Sequence, residues 1–539
     1  MIKWFPKVEK IHFILLVAVI LAIAFRIYGI RWGLPDAAHP DYSYHPDEML
    51  HLVFARKLAA GEIIGKHFIY GGTFYYTILN AYFYYGDRLG EFLGGFNHLA
   101  NTILVGRYFH TALAIISILI VYQSGRAFFG APAGVLAAAI LAIIPADILC
   151  AQRMRPDEMA AFLTVVIIVL SWQIISGDEK KGFKHYIFVG LVLGVATAVR
   201  FPLAITIGAP VTAHILANGG KNTVEIFKSL FDRRLAIMLG AIMLGYAISS
   251  PHTFIYPEWF MQGMRIQWHY QSNPFLDAVD AGPGVYQYGW TMLREALGYP
   301  LYFLALGGVV LALIKRSRAD MVILAAGAPY FILTTFTSWV VVRYTLPLMP
   351  LLTILAGRFV VYLVEEIPRY KLVLHIVVAA GLVWTMLADY AFLKMEAGKD
   401  VRDVATEWIQ QNIPRGSSIA VLRAYSEDYY FNPVMFSKDY STPVFFLSES
   451  NDSQAFFKNY KFDYLVLHEV IYKNMERLGP RHPYLQYRIF YDSLVNSHYK
   501  IIKEFKQPIK AMGVDFSSWF TSQDYAITDP EIRIYQYQS

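Results

Sequence analysis

Charge is scarce in this sequence. Only 16% of its 539 residues are Asp, Glu, Lys or Arg, against roughly 25% in soluble domains. The shortfall falls in long uncharged stretches, which excludes an ordinary soluble chain and points to the membrane class. Cysteine is scarcer still. Cys150 stands alone, so no intrachain disulfide can form and cysteine usage says nothing about redox compartment. No low-complexity segment and no long-period repeat is present, which leaves no sign of a repeat architecture. What is present is hydrophobic and aromatic: 56% and 16% of residues, with 38 Tyr and 37 Phe. Tyr and Trp settle at the headgroup level of a bilayer. The net charge of +6 does not indicate nucleic acid, because the basic residues sit in short stretches between apolar runs, where they orient helices.

A span needs roughly 20 apolar residues. Eleven stretches qualify, at about 11–30, 104–123, 132–150, 158–176, 186–200, 201–218, 235–252, 298–314, 321–338, 344–363 and 372–392. The first follows Lys3, Lys7 and Lys10 and lacks a small-residue cleavage site, so it reads as a retained signal anchor. A twelfth stretch, 72–93, is apolar and aromatic. Charge decides its placement. With a cytoplasmic N-terminus and 72–93 not counted, the inside loops hold Arg126; Lys180, Lys181 and Lys184; Lys221, Lys228, Arg233 and Arg234; Lys315, Arg316 and Arg318; and Arg369 and Lys371. That is the positive-inside pattern. Counting 72–93 would invert every later loop, so it is expected as a helix on the outer interface.

The expected architecture is therefore an all-α polytopic membrane domain, residues 1–392, with large external loops at 31–103 and 253–297. Residues 393–539 differ in character. Charges return, and Pro414-Arg415-Gly416 makes a turn between a helical pattern at 401–413 and the apolar run Ser418–Leu422. Phe462–Leu467 and Ile532–Tyr537 also read as strands. This is a small extracytoplasmic α/β domain. The whole is a multi-pass plasma-membrane protein.

Two external segments share a tetrapeptide: His45-Pro46-Asp47-Glu48-Met49 and Arg155-Pro156-Asp157-Glu158-Met159. Pro suits the first helical turn, and acids after it complement the N-terminal dipole. A helix start alone would explain one copy. Two copies on one membrane face, each beside basic residues, point to function, since ionisable groups at membrane depth are costly. The basic partners are Arg153 and Arg155, Arg200 in the turn Val199-Arg200-Phe201-Pro202, and Arg343 in Val342-Arg343-Tyr344. External arginines run against the positive-inside trend. Anionic lipid headgroups would hold them there. So would the phosphate of a bound substrate, whose oxygens match the guanidinium fork.

Weaker candidates remain. His45, Asp47 and Glu48 are a possible ligand set for a divalent metal, with His39 and His51 close by. Trp259, Trp268, His269 and Tyr270 mark an interfacial helix rather than a sugar platform. Gly282-Pro283-Gly284 marks a turn.

In order along the chain, these motifs resemble the GT-C superfamily of membrane glycosyltransferases, especially the branch of protein O-mannosyltransferases and the aminoarabinose transferase of lipid A. The resemblance covers about residues 10–360. It runs through His45-Pro46-Asp47-Glu48, the aromatic stretch after Tyr70-Gly71-Gly72, Gly106-Arg107 and Gly125-Arg126-Ala127-Phe128-Phe129-Gly130. It continues with Pro145, Arg155-Pro156-Asp157, Gly190–Arg200, and Arg343-Tyr344 with Pro347 and Pro350. It implies a polyprenyl-phosphate-linked sugar donor, an external active site, inversion at the anomeric carbon and Asp47 as catalytic base. The position fits that role, at a predicted helix start on a loop long enough to fold over the membrane. Glu48 would point about 100° away around the helix, to orient the loop or hold a metal. Asp157 would position the acceptor or the neighbours of Asp47. Arg153, Arg155, Arg200 and Arg343 are the candidate donor-phosphate ligands. Two positions depart from the aminoarabinose-transferase pattern, Leu50 and Tyr70-Gly71-Gly72-Thr73, so the acceptor stays open between protein, lipid and glycan. Three other readings compete, one of them a non-catalytic scaffold whose C-terminal domain binds a partner, against which the doubled acidic motif argues. A lipid or glycan flippase would also carry intramembrane charge, but here the ionisable groups gather on one face rather than at mid-depth. A polymerase or ligase using a diphosphate-linked glycan would share the acidic external site.

Overall fold

A computed structural model describes residues 8–37, 39–60, 75, 78, 89–176, 182–219, 222–272, 283–423, 439–441, 444–446, 461–477, 485, 488–489, 491–492 and 498–538. Every one of the eleven apolar stretches is helical. The principal helices are α1 (Val8–Tyr28), α2 (Pro46–Ala59), α3 (His98–Phe129), α4 (Ala131–Ala142), α5 (Pro145–Ala151), α6 (Pro156–Ser176) and α7 (Gly182–Val199). They continue with α8 (Gly208–Asn218), α9 (Arg233–Ser249), α10 (Pro257–Ser272), α11 (Tyr299–Lys315), α12 (Arg318–Thr335), α13 (Met349–Glu366) and α14 (Lys371–Glu396). Among the described residues seven helices are long and apolar enough to cross a membrane, or eight if the pair α4 and α5, bent by 59°, forms one span. Pro145 opens α5, and a proline there removes the N–H that would have continued the first helix. Three more expected spans, α9, α11 and α12, are helices of 17, 17 and 18 residues, at the lower end of what a bilayer requires.

Close helix contact depends on small residues. α7 lies against α9, and a Cβ added at Gly194 would come within 2.3 Å of the Ile242 carbonyl oxygen, while one at Gly245 would come within 2.4 Å of the Leu191 oxygen. Backbones approach this closely only where side chains are absent.

The expected interfacial helix at 72–93 lies almost wholly outside the described residues. Of it, Tyr75 is buried, its hydroxyl 3.4 Å from His110 Nε2. The second expected interfacial helix is present as α10. It turns Trp259 and Phe260 toward the core and leaves Trp268 three-quarters exposed. Of the expected turn Gly282-Pro283-Gly284, Gly282 is outside the described residues and Gly284 begins a three-residue helix, Gly284–Tyr286.

After the last span comes α15 (Val401–Asn412), followed by a turn in which Gly416 takes φ +86°, a backbone region that glycine adopts without strain. A mixed sheet then forms from β1 (Ile419–Arg423), β2 (Val444–Phe446), β3 (Tyr464–His468), β4 (Tyr499–Phe505) and β7 (Ile532–Tyr537), ordered β2-β1-β3-β7-β4. β1 pairs parallel with β2 and β3, and β7 pairs antiparallel with β3 and β4. α15 packs on the sheet through Val401, Ala405 and Ile409, against Ile419, Val466, Ile532 and Ile534.

Between β4 and β7 the chain leaves the sheet. A hairpin of β5 (Lys510–Ala511) and β6 (Val514–Asp515) leads into a short helix, α16 (Gln523–Thr528). Phe516, Phe520 and Tyr525 from this excursion join the core of the membrane helices. Phe520 and Tyr525 both pack against Phe392 of α14, at 4.9 and 5.3 Å between ring centres, the first tilted and the second edge to face. The sequence reading placed this segment in a separate outer unit. The aromatic side chains instead find apolar area to bury on α14, which no local pattern could reveal.

Candidate active site

The two Pro-Asp-Glu elements open helices as expected. Pro46 begins α2 and Pro156 begins α6. Although they share a sequence, their acids have different fates.

Glu48 is fully buried and fully engaged. Arg107 of α3 grips its carboxylate with both branches of the fork, Nε to Oε1 at 2.8 Å and Nη2 to Oε2 at 2.7 Å. Ser43 Oγ donates to Oε2 at 2.9 Å and the Met154 N–H to Oε1 at 2.9 Å. Arg107 Nη1 also donates to the Ile30 and Trp32 carbonyls. Burial pushes this carboxyl up, but Arg107 and the other donors outweigh it and hold Glu48 below the ordinary glutamate range. Such a residue ties the first loop to α3 and to the segment before α6. Its expected catalytic or metal-holding part is corrected here, since no lone pair faces an open site. His45, Asp47 and Glu48 accordingly do not fit a shared ion, and among the described residues no group of three or more His, Cys, Asp or Glu side chains is placed to hold one. His45 is itself buried, and burial followed by the nearby arginines keeps its imidazole neutral, well below the usual histidine range.

Asp47, one position earlier on α2, points elsewhere and stays 23% exposed. It meets the guanidinium of Arg155, with Oδ2 3.6 Å from Nη1. Arg155 is the hub of the site. Its Nε lies 3.7 Å from Asp157 Oδ2 and its Nη1 3.4 Å from Asp524 Oδ1, and Nη2 reaches Cys150 Sγ at 3.5 Å. Asp157 is buried and pairs with Arg200. Arg200 precedes a 3-10 turn, Phe201–Ile207, and lies over the Tyr344 ring with its guanidinium carbon 5.2 Å from the centre. Arg343 sits on a second 3-10 turn, Val342–Leu348, and pairs with Asp524 through both its side chain and its N–H, the latter at 3.0 Å. His51, one turn after Asp47, is buried among these groups, and burial holds its pKa at about 4.

Arg153 does not join this cluster. It is buried in a pair with Glu396 at the end of α14 and lies 4.2 Å from the centre of the Trp32 ring. The sequence grouped it with Arg155 because they are two residues apart. The tight turn between α5 and α6, with the Arg153 N–H bonded to the Cys150 carbonyl at 3.1 Å and the Arg155 N–H to the Arg153 carbonyl at 3.0 Å, sends their side chains in different directions.

Two members of the site escaped the sequence reading. Arg107 was visible only as part of a Gly-Arg pair. Asp524, in Ser522-Gln523-Asp524-Tyr525, carries no motif at all. It arrives from the excursion beyond β4, fixed by neighbouring contacts. Glu295 accepts hydrogen bonds from the Thr521 N–H at 3.3 Å, Thr521 Oγ1 at 2.5 Å and the Ser522 N–H at 2.9 Å. Trp339 Nε1 donates to Gln523 Oε1 at 2.9 Å. Arg402 donates to the Ile527 and Thr528 carbonyls at 3.2 Å.

The assembled site is a partly exposed carboxylate, Asp47, beside a set of arginines whose planar forks suit two oxygens of a phosphate or carboxylate. Residues 92–254 match a family model described as dolichyl-phosphate-mannose-protein mannosyltransferase. A search of curated protein sequences gives no match. Among solved structures, the chain is similar to ArnT from Cupriavidus metallidurans bound to undecaprenyl phosphate, with a TM-score of 0.52, 12% identity and 98% of each chain covered. It is also similar to the apo oligosaccharyltransferase of Archaeoglobus fulgidus, with a TM-score of 0.51 and 13% identity, over 86% of this chain and 70% of that one.

Proposed function

The chain has the GT-C membrane fold, and from that premise we propose that it is an inverting glycosyltransferase moving a sugar from a polyprenyl-phosphate donor to an acceptor protein, lipid or glycan. The reaction takes place at the outer membrane face, with the N-terminus cytoplasmic and residues 393–539 outside. The observation that carries this reading is the Arg155 guanidinium. It faces Asp47, Asp157 and Asp524 within 3.7 Å, and it shares Asp157 with Arg200 and Asp524 with Arg343. A base and a phosphate cradle are thus adjacent. The family model over residues 92–254 and the polyprenyl phosphate on one structural neighbour support the donor class.

In this mechanism Asp47 takes the proton of the acceptor hydroxyl or ammonium as the new bond forms at the anomeric carbon. The sugar–phosphate C–O bond breaks on the opposite face. Negative charge grows on the departing phosphate, and Arg200 with Arg155 and Arg343 stabilises it more than the ground state. Asp157 touches both Arg155 and Arg200 and sets their direction, so its part is to position.

The test compares two variants of the purified chain with monophosphate- and diphosphate-linked sugar donors. Asp47→Asn keeps the shape of the carboxylate and the start of α2. It is expected to bind donor normally and lose transfer by roughly 10²-fold or more, the scale of a positioned base. Arg200→Ala is expected to lose both donor affinity and roughly 10²-fold in transfer. Normal transfer by Asp47→Asn sinks the base assignment, and consumption of diphosphate donors alone sinks the donor class.

A further inference from the structure

The arginine cluster carries one charge relation that a phosphate-binding site does not require. Asp524 is buried, and it accepts from Arg155 and Arg343 side chains and from the Arg343 N–H. Burial pushes its carboxyl up, yet Arg343 and Arg155 outweigh that and hold it below the ordinary aspartate range. It is therefore a fixed negative charge set among groups that would receive a phosphate. Its carrier helix is docked from several sides, through Glu295, Trp339 and Arg402. This is a built feature of the fold, delivered by a segment that follows the membrane helices by more than a hundred residues.

We propose that Asp524 is a positioning residue for the donor-phosphate arginines: it orients Arg155 and Arg343 and balances their charge, so that the polyprenyl phosphate left after transfer can leave. This rests on the donor reading above. The physical argument is electrostatic. Without Asp524, Arg155 would keep Asp47 and Asp157 but Arg343 would lose the carboxylate it pairs with, and the two guanidiniums would hold a phosphate product more tightly and be turned by their mutual repulsion. With Asp524 between them their forks are fixed, and part of their charge is answered before any ligand arrives. The outer α/β segment is then part of the active site through residues 517–529.

The readout is binding of a short-chain polyprenyl monophosphate to the full chain in nanodiscs, as an equilibrium constant and a dissociation rate. Asp524→Asn keeps the size and removes the charge. It is expected to bind the monophosphate roughly tenfold more tightly or better, with slower dissociation, on the scale of one like charge removed at contact distance. A role in folding alone would weaken binding instead. Glu295→Gln loosens the docking of Thr521 and Ser522 from a distance and is expected to shift binding the same way, which keeps the test open if Asp524→Asn folds poorly. Arg343→Ala serves as the reference and is expected to weaken binding. If Arg343→Ala weakens binding while both other variants leave it unchanged or weaker, the role of Asp524 is overturned and the donor site stands. If the unaltered chain does not bind the monophosphate, the donor reading falls and this inference with it.

Discussion

Each of the four arginines has carboxylate partners: Arg153 has Glu396, Arg155 has Asp47, Asp157 and Asp524, Arg200 has Asp157, and Arg343 has Asp524. Bare buried guanidiniums are too costly to persist without such partners. Not every acid near the site is so well placed. Asp529 lies just past α16, and burial, followed by repulsion from Asp400, raises its pKa to about 7. A carboxyl raised in the folded state favours the protonated form there, so its ionisation opposes folding as pH rises from the ordinary range near 4 toward 7. Asp529→Asn should remove that penalty. The variant is expected to melt at a higher temperature than the parent at pH 8, with the gain shrinking steadily as pH is lowered and gone near pH 4. Melting curves of the detergent-solubilised protein across this range check it; a gain that does not vary with pH refutes the assignment.

At the scale of elements, the two Pro-Asp-Glu helix starts show how one local pattern serves two purposes. In α2 the first acid faces the site and the second is locked to Arg107. In α6 the first acid pairs with Arg200 and the second is buried at the top of the span. The helices themselves are held apart or together by single small residues. On the α7–α9 contact a Cβ at Gly194 would also fall 2.5 Å from the Tyr246 nitrogen, so only backbone stands in the way and it cannot yield locally. Gly194→Ala is expected to cost about 1–3 kcal/mol, as overpacking does. Gly240 lies on α9 with nothing within 4 Å of an added Cβ. There Gly240→Ala should be neutral or stabilise by up to about 1 kcal/mol, since alanine is the better helix former. Thermal stability of both variants in the same detergent decides whether this contact is as tight as described.

For the whole molecule, the first loop, the segment between α5 and α6, the turn at Arg343 and the C-terminal excursion meet at one end of the helices. Trp32 donates to Asp400 at 3.0 Å, Tyr44 pairs with Asp403, and Arg343 pairs with Asp524. The positive-inside reading puts that end outside the cell. Cys150 is buried and can be replaced by alanine to give a thiol-free background. Met512, at the tip of the β5–β6 hairpin, is 89% exposed. In intact cells Met512→Cys should react with a membrane-impermeant thiol reagent. Glu225→Cys, in the exposed segment between α8 and α9, should react only after the membrane is opened. The reverse pattern would invert the assigned orientation and move the site to the cytoplasmic face.

The membrane helices were legible from the sequence because a bilayer imposes one requirement on every span: about 20 apolar residues with their backbone bonded internally. The same holds for α15, β1, β3 and β7, whose apolar periodicity and turn residues are local. Asp47, Asp157 and Arg155 were also legible, since Pro-Asp at a helix start and arginine against the charge trend are readable one residue at a time. Tertiary structure alone decided which partner each acid meets. Glu48 and Asp47 are neighbours in sequence, but the helical period turns one toward Arg107 and the other toward Arg155. Arg153 and Arg155 are almost neighbours, yet the carboxylate of the first comes from α14 and those of the second from α2, α6 and α16. Asp524 lies 181 residues from Arg343. Its place depends on where a chain leaving a sheet finds aromatic and ionic partners on the membrane helices. Long-range pairing of that kind is fixed by the packing of the whole chain, and no window of sequence contains it.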